Sequence, residues 1–185
     1  MTKTRVVSAV LASALATSTL ACATNPAPDP AATASQAQSV TVNLSDATGK
    51  SVGTAALSPD PAGVKITLAV SGLPAGEHAI HVHQTPQCDG PAFTSAGGHF
   101  NPEQKQHGLN NPQGPHAGDM PNFTVDASGR SSATVVAPGI TLDDGPHSVF
   151  TGGGTALVIH EKADDMKSDP AGNAGTRIAC GVIRK

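Results

Sequence analysis

From Val40 onward the chain alternates apolar and polar residues with a period of two, broken at short intervals by turn residues. "VTVNL" alternates and runs into the turn "SDATGK"; "SVGTAALS" follows and stops at "PDPAG". "VKITLAVSG" alternates again and puts Val64, Ile66, Leu68 and Val70 on one face, the mark of a half-buried strand. "LPAGE" turns the chain into a segment that carries His81 and His83, and "NFTVDASGRSSATVVAP" reads as a hairpin bent at Asp126 to Gly129. "TALVIHE" and "RIACGVI" are two later apolar strands. No long stretch carries a helical stripe, so the pattern predicts an all-β sandwich or barrel of short strands.

Two segments break this rhythm. Residues 84–121, rich in Pro and Gly, and residues 161–176, "EKADDMKSDPAGNAGT", have little strand character. Loops of this length inside a compact domain are functional or disordered. An ordered one needs something to hold it, and the candidates are a metal and a disulfide.

The first residues stand outside the domain. A basic start, "MTKTR", is followed by the apolar "VVSAVLASALATSTLA", which is short and Ala/Ser-rich for a membrane span, and then by Cys22. Residues 1–22 therefore read as an export signal. A cut after Ala21 leaves Cys22 as the N-terminus, open to lipidation as in a bacterial lipoprotein; a cut after Ala23 uses "ACA" and releases a soluble protein. Leu20 lies one place closer to Cys22 than the usual lipoprotein pattern puts it. Residues 23–39, mostly Pro, Ala and small polar residues, read as a flexible tether, which leaves 40–185 as one domain. An acyl chain on Cys22 is then the one feature that holds the protein to a membrane.

Three cysteines are an odd count for an exported chain. If Cys22 carries lipid, Cys88 and Cys180 remain as one pair in an oxidising compartment. A free or intermolecularly paired Cys22 is the alternative. Without the leader the chain has nine Lys and Arg against 14 Asp and Glu, a net charge near −5, and no basic patch. Nucleic acid is excluded as a partner.

The histidines point to chemistry. His81 and His83 are two apart, so on a strand they share one face while Val82 points the other way. "HFNPEQKQHGLNNPQGPHAGD" supplies His99, His107, His116 and Asp119 from one loop, and three imidazoles with one carboxylate suit four-coordinate Zn²⁺ in a structural role. His81, His83 and His160 lie on strands, and imidazole ligation suits copper or zinc. Spacing alone does not bring His160 to the other two. His78 has the opposite parity to His81 and His83 and is expected to face elsewhere; His147 follows the turn "DDGP" and is expected to brace a loop.

"HVH", "AGGHFNP", the His107, His116 and Asp119 run, "VIHEKADD" and "GNAGTRIACGVI", in this order, resemble the copper/zinc superoxide dismutase family over most of residues 40–185. The resemblance implies an eight-stranded Greek-key β-sandwich with two long functional loops folded over the metals. It implies copper on His81, His83, His99 and His160, and zinc on His99, His107, His116 and Asp119, with His99 as the bridge. Asp164 matches the carboxylate that links a copper ligand to a zinc ligand, Cys88 and Cys180 match the intrasubunit disulfide, and Arg177 matches the arginine beside copper. The implied activity is dismutation of superoxide to O₂ and H₂O₂, with His99 leaving copper and carrying a proton during the cycle. Lys162 and Lys167 are expected to help steer the anion, and Asp165 and Asp169 to be solvated loop acids. "TPQCDGPAFTS" departs from several relatives in a region the family uses for dimer contacts, which leaves a homodimer open. A non-enzymatic copper-binding or copper-delivery module uses the same histidines but does not need Arg177 or Asp164.

Overall fold

The computed structural model describes residues 39–185; the export signal, Cys22 and the tether before residue 39 lie outside the described residues. Among the described residues every extended element is a strand, interrupted only by single 3₁₀ turns at Thr94–Ala96 and Thr151–Gly153. The strands are β1 (Val40–Asp46), β2 (Ser51–Asp60), β3 (Gly63–Ser71), β4 (Gly76–His78), β5 (Ile80–His83), β6 (Phe123–Val125), β7 (Arg130–Ser131), β8 (Thr134–Ala137), β9 (Thr155–His160) and β10 (Arg177–Ile183).

One curled antiparallel sheet runs β5-β9-β10-β1-β2-β3, with β7 and β8 both paired to β3, while β4 pairs β6 separately. Two of these strands are broken ones. β4 and β5 are halves of one strand that changes partner at Ala79, whereas β7 and β8 both pair β3 and are parted only by Ser132 and Ala133. Joining each pair of halves turns ten segments into the eight strands expected. At Ala79 the chain corners, with its N–H donating to Lys162 O (2.8 Å) and its carbonyl accepting from His160 N–H (2.9 Å).

The core follows the period-two pattern. Along β3, Val64, Ile66, Leu68 and Val70 are buried while Lys65, Thr67 and Ala69 face solvent. With four Phe and no Tyr or Trp, the core is aliphatic, built on Leu44, Leu57, Ile66, Leu68, Ile80, Leu157 and Ile159. β9 is buried on both faces, which is why "TALVIH" reads as a run and does not alternate. Its Leu157 and Ile159 join the main core, whereas Ala156 and Val158 pack on the other side against Phe93, Ala96 and Cys180.

The long loop after β5 is tied down at several points. Phe100 N–H donates to Val82 O (2.8 Å), Val82 N–H to Gly118 O (3.0 Å) and Gly118 N–H to Phe100 O (2.8 Å), so the loop hydrogen-bonds the free edge of β5. Gly118 is needed there because a Cβ would overlap the Val82 carbonyl. A disulfide between Cys88 and Cys180, 92 residues apart with Cα atoms 5.6 Å from one another, fastens the same loop to β10.

Candidate metal centre

β5 and β9 pair antiparallel, with His81 opposite Val158 and His83 opposite Ala156. Ile80, Val82, Leu157 and Ile159 therefore face the core, and His81, His83, Ala156, Val158 and His160 face outward under the loops. The register is what brings His160 to the pair: its ring centroid lies 4.9 Å from that of His81 and 5.6 Å from that of His83. His99 reaches the group from the loop through a bridge between its backbone and His83, its ring 4.1 Å from that of His81. All four imidazoles are buried and offer ring nitrogens within 4.8 Å of one another.

His99 also belongs to a second cluster with His107, His116 and Asp119, equally compact and buried. The Nδ1 atoms of His99, His107 and His116 lie 2.8, 3.0 and 3.4 Å from Asp119 Oδ1. Asp119 Oδ2 meanwhile accepts the backbone N–H groups of Gly108 and His116, both at 2.9 Å. The carboxylate is thus aimed by its own loop, with one oxygen left for the three rings.

Asp164 joins the two clusters. His81 Nε2 is 2.8 Å from its Oδ2, and His107 Nε2 is 3.0 Å from both oxygens. Gly172 lies so close to Asp164 Oδ1 that a Cβ there would overlap it, and its φ of +62° independently favours glycine.

The electrostatics separate the two halves. Burial pushes the pKa of His81 and His83 below the ordinary imidazole value, and takes His99 to about 4 and His160 to about 3. The first four rings are therefore neutral at physiological pH, with lone pairs free to ligate. Burial also opposes charge on His107, but hydrogen bonds to Asp119 and Asp164 overcome it and raise that pKa to about 9. Burial would raise the pKa of Asp119 and Asp164; hydrogen bonds led by His107 outweigh it and hold both carboxyls well below the usual range. The second cluster is a site for positive charge.

Five buried side-chain nitrogens have no hydrogen-bond partner among the described residues: His81 Nδ1, His83 Nε2, His99 Nε2, His160 Nε2 and His116 Nδ1. Buried polar atoms are normally paired, so such a group calls for an explanation. The other nitrogen of each ring in the first cluster is engaged, by Asp164, by Gly97 O (2.9 Å), by Asp119, and by Gly175 O at a long 3.5 Å. Every ring of the first cluster thus has one nitrogen oriented by the protein and one left over, which is how an imidazole is presented to a metal ion. The residues fit copper in the first cluster and zinc in the second.

Arg177 stands at the start of β10 beside this centre. Its guanidinium donates to Phe93 O (2.6 Å) and Gly97 O (2.7 Å) and lines a cavity of about 470 Å³ together with His83, His99 and His160. Arg177 is the one Lys or Arg lining that cavity among the described residues; Lys162 and Lys167 are exposed and do not line it.

Two residues have contacts that spacing did not reveal. His78 is buried at the end of β4, with Nδ1 2.8 Å from the His160 carbonyl and Nε2 2.8 Å from that of Pro74, so it clamps the backbone of a cluster residue. Asp169 is half exposed, as expected of a loop acid, yet its Oδ1 accepts the backbone N–H of His107 (2.7 Å) and so is no free solvated group. No sequence signal distinguishes such acceptors from solvated ones. His147, as expected, braces a loop, its Nδ1 2.6 Å from Gly139 O.

A copper/zinc superoxide dismutase family profile matches residues 51–183. The chain is 54% identical over 138 residues to copper–zinc superoxide dismutase 1 of Aquifex aeolicus, covering 74% of this chain and 82% of that protein. It is 39% identical over 160 residues to the copper–zinc enzyme of Deinococcus radiodurans, covering 78% and 84%. Among solved structures, the copper/zinc superoxide dismutase of Brucella abortus superposes with a TM-score of 0.66 at 32% identity, over 80% of this chain and all of the other. A superoxide dismutase-like protein from Bacillus subtilis superposes with a TM-score of 0.74 at 39% identity, over 77% and 96%. With the fold, the two histidine clusters and these similarities in agreement, the chain belongs to the copper/zinc superoxide dismutase family, whose cofactors are copper and zinc and whose reaction is the dismutation of superoxide.

Proposed function

We propose that the chain converts two superoxide anions and two protons to O₂ and H₂O₂, holding copper on His81 Nδ1, His83 Nε2, His99 Nε2 and His160 Nε2. Zinc is held on the Nδ1 atoms of His99, His107 and His116 and on Asp119 Oδ1. The observation that carries this assignment is the set of leftover nitrogens, four of which converge in the first cluster. Copper bound there supplies a one-electron change in either direction, which zinc cannot.

The rest of the chemistry belongs to the chain. The protein is net negative, at −3 for the whole sequence, so a local cation must draw in the anion. Arg177 is that cation, its fork held by Phe93 and Gly97 so that the charge faces the cavity shared with the first cluster. His99, engaged through Nδ1, has an Nε2 that takes a proton when it is not a ligand. His99 lines the same cavity as Arg177, so a proton held on that nitrogen is placed for transfer to reduced substrate. Asp164 holds His81 and His107 in fixed orientations at the two ends of the centre.

The test compares superoxide decay by the copper- and zinc-loaded parent with an Arg177→Ala variant. Loss of steering is expected to slow decay roughly tenfold or more, with metal content unchanged and with weaker dependence on salt. Bound copper with no decay above a free-ion control overturns the dismutase reading and leaves a copper-binding module.

The protein acts outside the cytoplasm in this reading, carried there by residues 1–22 and anchored through lipid on Cys22. The related extracellular superoxide dismutase of Caenorhabditis elegans, 38% identical over 126 residues, supports an exported location. The intact mass of the mature protein is expected to correspond to an acylated chain starting at Cys22; a chain starting at Thr24 with no added mass counts against the anchor.

A further inference from the structure

We propose that Asn122, which lies between the zinc cluster and β6, is a positioning residue that fixes Asp164 and thereby the affinity of the zinc half of the centre. The inference rests on the ligand assignment above. Asn122 Oδ1 accepts the Asp164 N–H (2.9 Å) and its Nδ2 donates to the Asp164 carbonyl (3.0 Å). One side-chain amide therefore takes up both backbone groups of Asp164, in the manner of a neighbouring strand.

Asp164 needs such a partner. It lies in the loop between β9 and β10 and pairs with no strand. Its carboxylate contacts His81 and His107 and accepts Met166 N–H (2.6 Å), all from its own loop or from groups it is itself required to orient. Among the described residues Asn122 is the one side chain that bonds the Asp164 backbone, and it is itself anchored because the next residue, Phe123, is buried in β6 and seated in the main core. It also follows the zinc-cluster residue Asp119 by three positions, so one short segment aims both carboxylates that contact His107.

The chemistry requires an amide at this position. Aspartate keeps the acceptor but sets a carboxylate oxygen against the Asp164 carbonyl, where a donor is required. Serine is too short to reach both groups. The sequence "PNFTV" advertises none of this, since Asn next to Pro reads as an ordinary turn residue.

The test measures zinc affinity by chelator competition in copper-loaded parent, Asn122→Asp, Asn122→Ser, Asp164→Asn and the Asn122→Asp/Asp164→Asn double variant. Melting of the metal-free forms is followed in parallel. Outer hydrogen-bond partners of metal ligands typically govern affinity by about 10- to 100-fold, and a loss in that range is expected for both Asn122 variants. The double variant is expected to lose no more than Asp164→Asn alone, because Asn122 acts through Asp164. Unchanged zinc affinity, or losses in the double variant that multiply, overturns the proposal. So does failure of both Asn122 variants to fold, which makes the residue a folding determinant. A His116→Ala control separates the two levels: if it too leaves zinc affinity unchanged, the ligand assignment itself has failed.

Discussion

Stripping both metals from the protein lowers its melting temperature by on the order of 15 °C, and calorimetry of the metal-free, copper-only, zinc-only and doubly loaded forms measures the fall. Without metal, five buried ring nitrogens have no partner among the described residues. A buried polar atom without a partner costs about 1–3 kcal/mol, so five together put the penalty on the order of 5 kcal/mol or more. For a domain of this size each kcal/mol shifts melting by roughly 2–4 °C. Copper alone should recover the larger share, since four of the five atoms lie in its cluster. Zinc recovers the fifth and replaces the Nδ1 proton that His107 shares with Asp119, while Nε2 stays paired with Asp164. Equal melting of the metal-free and doubly loaded forms would show that these nitrogens find solvent, and would undo the ligand assignment.

Reduction of the Cys88–Cys180 disulfide, or its replacement by Cys88→Ser and Cys180→Ser, produces a second large loss. Closing a loop of 92 residues stabilises a fold by about 4–5 kcal/mol in the chain-entropy account. The consequence reaches the active centre as well. Phe93 and Gly97, whose carbonyls hold the Arg177 fork, lie on the loop that the disulfide fastens, and Cys180 is three residues beyond Arg177 on β10. Phe93 packs with Cys180, Ala156 and Val158 in one small cluster. Releasing Cys88 is therefore expected to lower both the melting temperature and the rate of superoxide decay, the latter in metal-replete protein. Parallel melting and decay measurements on oxidised and reduced samples check this; a lowered melting temperature with full activity would mean that the cradle of Arg177 stands without the disulfide.

Much of the molecule is legible from local pattern. The alternation of Val64, Ile66, Leu68 and Val70 matches the buried face of β3 because side-chain direction on a strand is a property of the backbone. The turn at Asp126 is equally local, with Asp126 N–H donating to Arg130 O (2.8 Å) and Gly129 at a φ of +77°, but the expected hairpin does not form, because β6 pairs β4 while β7 and β8 pair β3. The ten segments are harder to foresee. The break at Ala79 arises where one strand trades β6 for β9 as the sheet curls, and no residue in "GEHAIHVH" marks it.

The same division runs through the centre. The shared face of His81 and His83 follows from their spacing on a strand, and the Asp119 run is compact because its ligand residues lie on one loop. These are short-range consequences of chain geometry and can be read from residue spacing, as can the all-β class and the net negative charge that demands a local cation. That His160 meets His81 emerges from the folded arrangement, since it depends on the register of β9 against β5, two segments more than 70 residues apart. The same holds for which nitrogen of each ring is left over, for the grip of His78 and Asp169 on the backbones of His160 and His107, and for the pairing of Asn122 with Asp164. A hydrogen bond is short and directional, so its partner is known only when the two segments have been brought within about 3 Å of one another by the packing of everything between them.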